Sequence, residues 1–244
     1  MMKDPKNIET WLDMHRDMGI GHFYIRLEDT PTLESYLKNQ PDVTVQIGQS
    51  QGVNEYQNQQ YRQDKWVNDA LRMANNDDSQ LSWLIHIDSD EILHGDLNQI
   101  NQLPDEVRTF WMQNHEAKYP QIPGPGDNCF KASTFADCSA NADKCVSYEN
   151  GKSGGRVASD VSSHGPHRMK TSIGGSQDMK LEDLFVRHYE SCDFDIYKKK
   201  FKRLAVQDKK LKIPFPYYNK SIDASKRDDD DALRQIYHQY RVSK

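Results

Sequence analysis

Trp83-Leu84-Ile85-His86-Ile87-Asp88-Ser89-Asp90-Glu91 is the stretch on which the fold turns. Its first five residues are a nearly continuous apolar run, the pattern of a strand covered on both faces by helices in a parallel sheet. Its end carries three carboxylates, Asp88, Asp90 and Glu91, at the edge where open α/β sheets bind ligands. Acids this close repel one another and lose hydration, and a divalent cation relieves both. Hard oxygen ligands select magnesium or manganese. The same acids also suit a polar turn that caps a following helix.

Upstream of this stretch, helix and strand patterns alternate. Ile8, Trp11, Leu12, His15 and Met18 recur at helical spacing, and Gly19 stops the run. A strand reads over 22–27, ended by Glu28-Asp29-Thr30-Pro31; a short helix over 32–37 follows, then a strand over 43–47. Trp66, Val67, Ala70, Leu71 and Ala74 mark another helix over 63–75. This alternation predicts βα units and an α/β sheet, mixed but mostly parallel and flanked by helices.

Downstream, 107–119 reads as one long strand. Residues 121–155 show no periodicity, and a loop of that length inside a domain is more often functional than inert. Regular structure returns with a strand over 184–189 and a helix over 194–206. Lys198, Lys199, Lys200, Lys202 and Arg203 crowd the polar face of that helix, as a solvated face or a surface for a polyanion. Residues 214–226 read as loop and 228–240 as a terminal helix. With no internal repeat and no linker, one domain is expected over 1–244, in two parts at about 1–95 and 96–244.

The 244 residues carry a formal net charge of −5, so no global basic field draws the chain to nucleic acid or anionic lipid. No apolar run approaches the ~18 residues of a membrane span, and no secretory signal is visible, so a cytoplasmic protein is expected. The four cysteines, Cys129, Cys138, Cys145 and Cys192, include no C-x2-C pair, which argues against structural zinc. Reduced thiols are expected, with a disulfide pinning the irregular loop as the alternative in an oxidising compartment.

Histidines and cations of the second half supply further candidates. His164-Gly165-Pro166-His167-Arg168 is a Gly/Pro-shaped loop presenting two imidazoles and a guanidinium. His188 ends the strand over 184–189, where a neutral imidazole suits manganese or, equally, a hydrogen bond in the core. Asn150-Gly151-Lys152-Ser153-Gly154-Gly155-Arg156 resembles a phosphate cradle with two cations, but lacks the full P-loop spacing and also suits a flexible turn. Glu28 and Asp29 end the strand over 22–27, where acids suit a cap on the next helix.

Taken in order, these motifs resemble the GT-A-fold nucleotide-sugar glycosyltransferases, in the family-2-like and family-92-like group. They are a Trp-Leu-x-x-His helix running into Gly-Ile-Gly-His-Phe-Tyr-Ile, then Trp-Leu-Ile-His-Ile-Asp-Ser-Asp-Glu, Asn-Gly-Lys-Ser, His-Gly-Pro-His and His188-Tyr189. The resemblance implies a UDP-sugar donor, a glycan or glycoprotein acceptor and bound manganese or magnesium. It implies that Asp88 meets the sugar nucleotide and touches the metal, that Asp90 binds the metal, and that His188 joins them. Glu28 and Asp29 would seat the nucleotide, with Lys152, Arg156, His167 and Arg168 around the leaving diphosphate. Glu116, near the end of the strand over 107–119, is the candidate base. Such enzymes normally open with an apolar strand, which Met1-Met2 supplies at most in rudiment. A metal-dependent phosphoesterase and a non-catalytic sugar-binding module are the rival readings.

Overall fold

The computed structural model describes residues 1–50, 55–76, 81–124, 126–131, 134–137, 150–206 and 215–242. The chain is mixed α/β. In order it forms α1 (Ile8–Asp17), β1 (Phe23–Glu28), α2 (Glu34–Lys38), β2 (Val43–Gly48), α3 (Glu55–Asn76), β3 (Trp83–His86), β4 (Glu91–Gly95) and α4 (Asn98–Asn101). There follow β5 (Val107–Lys118), β6 (Thr134–Asp137), β7 (Lys152–Arg156), β8 (Val161–Ser163), β9 (Met169–Thr171), β10 (Gln177–His188), α5 (Phe194–Ala205), α6 (Pro216–Lys226) and α7 (Asp230–Arg241). None of the described helices is long and apolar enough to cross a membrane.

Two compact units share the chain. The first comprises Met1–Ser89, Leu93–Gln113 and Gly151–Val186; the second comprises Asp90–Ile92, Asn114–Asn150 and Arg187–Lys244.

In the first unit β1 and β2 pair in parallel, Phe23 opposite Val43 through Glu28 opposite Gly48. Met2 adds a single parallel bridge to Leu27, donating its N–H to the Arg26 carbonyl and accepting from the Glu28 N–H. β3 does not pair in parallel as expected. Its partner is β7, antiparallel, with His86 opposite Ser153, and β7 is antiparallel to β5 as well. The strand order runs β3-β7-β5-β10-β4. The mostly parallel sheet is thus corrected, and so is the strand covered on both faces: β3 is half-buried along its whole length and stands at the end of the order, because an apolar run fixes neither the direction nor the number of its neighbours. Residues 152–156, within the stretch 150–156 read as a phosphate cradle or a flexible turn, form a strand between β3 and β5. The core here gathers Leu93, Ile100, Val107, Phe110, Met112, Leu181, Leu184 and Val186.

His15 shows how α1 is fixed in this unit. Its Nδ1–H donates to the Trp11 carbonyl at 2.7 Å, and its Nε2 accepts the Leu93 N–H at 3.1 Å. A buried neutral imidazole with both nitrogens engaged is a structural residue.

The second unit joins β6 to the end of β5, antiparallel, and packs α5, α6 and α7 around an aromatic core of Phe194, Tyr197, Phe201, Tyr217 and Tyr237. Asp193 and Asp229 cap α5 and α7, accepting the backbone N–H of Ile196 at 2.7 Å and of Ala232 at 2.9 Å. Residues 216–226, expected as loop, are helical because Pro216 opens the first turn and the buried face is built from Tyr217, Ser221, Ala224 and Ser225. The lysine run of α5 is ion-paired within the unit: Lys198 with Asp230, Lys200 with Glu190 and Lys202 with Asp228. Cys129 and Cys192 are joined by a disulfide with Cα atoms 5.3 Å apart, which corrects the expected thiols for that pair. Cys138 and Cys145 lie outside the described residues.

Candidate functional site

The tripeptide Asp88-Ser89-Asp90 divides between the units, Asp88 belonging to the first and Asp90 to the second. Each carries its own polar cluster.

In the first unit the chain leaves β3 at His86 and reaches Asp88 two residues later. The Asp88 Oδ2 accepts from Lys152 Nζ at 2.5 Å, and Oδ1 accepts from Gln63 Nε2 of α3 at 3.1 Å. Lys152 has no side-chain exposure, while Asp88 retains 30%. Burial alone would raise the Asp88 pKa; the Lys152 charge outweighs it and holds the carboxyl well below the usual range. Lys152 enters β7 directly after Gly151, whose φ is +62° and where a Cβ would stand 1.9 Å from the Met112 carbonyl oxygen. Only glycine lets the backbone approach β5 that closely. Lys152 Nζ also donates to the Pro166 carbonyl at 3.3 Å. The Gly165-Pro166 loop is in turn pinned by Asp64 of α3, which accepts from the Gly165 N–H at 2.9 Å and from Ser163 Oγ at 2.5 Å.

His167 meets the Gly151 carbonyl through Nδ1 at 3.0 Å. Its pKa falls to about 4, through burial first and the Lys152 charge second; the same two causes, in the same order, take His86 to about 3. Both imidazoles are neutral at pH 7. Phe23, Tyr24 and Ile25 of β1 and Trp83 to His86 of β3 line, with Met1 and Met2, a cavity of about 390 Å³.

Several candidates stand elsewhere in this unit. Arg156, four residues along β7 from Lys152 and so about 13 Å away, donates to the carbonyls of Leu103, Pro104 and Val107 and covers the Trp83 ring. Expected beside the diphosphate, it here clamps the turn before β5. Arg168 lies over the Trp111 ring, 4.8 Å from its centroid. Glu28 is 1% exposed and bound by Arg62 at 2.8 and 3.0 Å and by Arg26 at 3.1 Å. Asp29 pairs with Lys3 at 2.8 Å, which with Ser50 brings its pKa to about 2. Neither acid caps the turn after Pro31, whose cap residue Thr30 turns its hydroxyl to the Glu28 carbonyl instead, at 2.8 Å.

The second unit holds the other cluster. His188 ends β10, is 4% exposed, and donates from Nδ1 to Glu116 Oε1 at 2.8 Å. Its Nε2 faces Asp90 Oδ2 at 3.6 Å. The Tyr189 N–H donates to the Asp90 carbonyl at 2.7 Å, which fixes the acid's backbone beside the strand end. Burial alone would depress the His188 pKa, but Glu116 and Asp90 together hold it well above the ordinary value. Glu116 is fully buried, and its Oε2 accepts from Arg241 Nη1 at 3.1 Å. Glu116, the candidate base of the sequence, thus has both oxygens engaged, by His188 and Arg241, and no exposure. Sequence reasoning missed Arg241 altogether, because a basic residue in the last turn of a helix ordinarily faces water.

Among the described residues, no group of three or more His, Cys, Asp and Glu side chains gathers around one cation position. The Asp90–His188 pair offers two donors. No family model matches the sequence, and no curated protein matches it. Among solved structures, the chain is similar to the "Crystal structure of HddC from Yersinia pseudotuberculosis", with a TM-score of 0.31 and 9% identity over 76% of this chain. The match spans 64% of that chain's length.

Proposed function

We propose that the chain is a metal-dependent glycosyltransferase that moves a sugar from a UDP-sugar to a hydroxyl of a glycan or glycoprotein. The observation that carries this reading is His188. Glu116 holds its Nδ1, so that Nε2 is turned toward Asp90 at 3.6 Å. An imidazole oriented by a buried carboxylate is the usual arrangement of a metal-ligating histidine, and its pairing with an acid suits manganese above magnesium. Asp90 and His188 would hold the cation, the remaining positions falling to diphosphate oxygens and water. Bound there, the cation neutralises charge that develops on the departing diphosphate. The order of motifs along the sequence is the second support, and it is what selects a sugar nucleotide over other phosphate compounds.

This chain's own groups then take distinct parts. Asp88, held ionised by Lys152, is an acceptor for sugar or ribose hydroxyls. Lys152 is engaged by that acid and acts through it. His167, neutral and anchored to Gly151, is a hydrogen-bonding group for the donor.

Calorimetry of UDP with and without manganese tests the proposal. Wild-type protein is expected to bind UDP only with manganese, and Asp90→Asn to lose that binding while its unfolding midpoint is kept. UDP affinity in Asp90→Asn equal to wild type in manganese would overturn the assignment. Release of phosphate from simple monoesters would favour a phosphoesterase. Metal-dependent UDP binding with no transfer from any UDP-sugar would leave a binding module.

A further inference from the structure

We infer that Arg241, the last residue of α7, is a positioning residue for the cation site, acting through Glu116 on His188; the inference rests on the reading of Asp90 and His188 as a donor pair. Arg241 is the largest fully buried side chain among the described residues. Its backbone is tied to the strand that carries Glu116: the Tyr119 N–H donates to the Arg241 carbonyl at 2.8 Å, and Tyr119 bridges Val242 in parallel. The guanidinium lies 5.6 Å from the Tyr119 ring centroid and donates from Nη1 to Glu116 Oε2. Its Nε and Nη2 have no hydrogen-bond partner among the described residues.

A buried arginine whose role is to saturate carbonyls would have those nitrogens engaged. This one makes its side-chain bond to the single carboxylate that orients His188. The resulting order is Arg241 Nη1–H to Glu116 Oε2, then Glu116 Oε1 from His188 Nδ1–H, with Nε2 turned toward Asp90. With one oxygen held by the arginine, the carboxylate cannot rotate about its own axis, so it meets Nδ1 at a fixed angle and the imidazole plane is set. Groups that orient a ligating histidine are commonly worth 10–100-fold in metal affinity.

The competing account is a purely structural ion pair, in which removing one partner strands a buried charge and removing both restores stability. Three variants separate the two: Arg241→Met, Glu116→Gln, and both together. Manganese affinity is measured by calorimetry without nucleotide, stability by urea denaturation, and the His188 ring by ¹⁵N NMR of the metal-free protein. Arg241→Met is expected to shift the His188 ring resonances and to weaken manganese at least tenfold. The double variant is expected to regain most of the lost stability, yet keep the weakened manganese binding and the shifted ring signals. Recovery of manganese affinity along with stability in the double variant would overturn the positioning role, as would unchanged ring signals in Arg241→Met. Absence of manganese binding by wild type would instead strike the cation reading, and the ring signals would still decide whether Arg241 orients His188.

Discussion

Lys152 has no exposure at all, and its ammonium is met by Asp88 at 2.5 Å and by the Pro166 carbonyl at 3.3 Å. The two partners are not equivalent. Removing the acid strands a buried cation, whereas removing the lysine leaves an acid that still reaches water. Asp88→Ala is therefore expected to cost about 3 kcal/mol of stability, and Lys152→Met about 1 kcal/mol or less, by urea denaturation. Equal losses would mean that Asp88 is as sequestered as its partner. The acids of 88–91 were legible because a carboxylate cluster at the end of an apolar run has few uses. Which of them would meet a lysine and which a histidine was not, since both partners arrive from beyond residue 150. Glu116 was legible as a strand-end acid but not as a buried one, because its environment is made by Arg241, distant in sequence and unremarkable in its own helix.

Strands and helices with a clean period were readable at the level of elements. β5 alternates buried and half-buried positions along much of its length, and α1 repeats its apolar set every three or four residues. β7 was not readable, because Lys152-Ser153-Gly154-Gly155-Arg156 has neither alternation nor β-branched side chains. Its strand is imposed by neighbours on both sides, and the glycines fit because they bring no bulk into the space held by Phe110, Val161 and Met169. α6 was missed for a related reason: serine and alanine fill its inner face, so no apolar stripe appears. Gly151 is the hinge on which β7 depends. Gly151→Ala combines a left-handed backbone with a Cβ driven into the Met112 carbonyl, and is expected to cost about 2–4 kcal/mol, read as a lowered urea midpoint. A midpoint unchanged from wild type would show that β7 tolerates another entry.

Over the whole molecule, three neutral histidines, His15 buried and His86 and His167 half-buried, sit in the first unit with pKa values of about 4, 3 and 4. Unfolding returns each to about 6.5, so between roughly pH 6.5 and 4 the unfolded chain binds more protons than the folded one. Stability of that unit therefore falls on acidification through this range. All four tryptophans, Trp11, Trp66, Trp83 and Trp111, belong to the same unit. Indole fluorescence in urea thus reports it, and the midpoint is expected to be lower at pH 5 than at pH 7.5. An equal or higher midpoint at pH 5 would place those imidazoles in water. The division of the chain also bears on biosynthesis. The first unit is not complete until residue 186 has been made, and β3 must await β7, some 70 residues later in the sequence. At roughly 5–20 residues per second a ribosome leaves the Trp83-Leu84-Ile85 edge unpaired for about 3–14 s. A nascent chain in that interval presents an open apolar strand to any neighbour, so the hazard for this protein lies in its translation, and a factor that shields nascent chains protects it there.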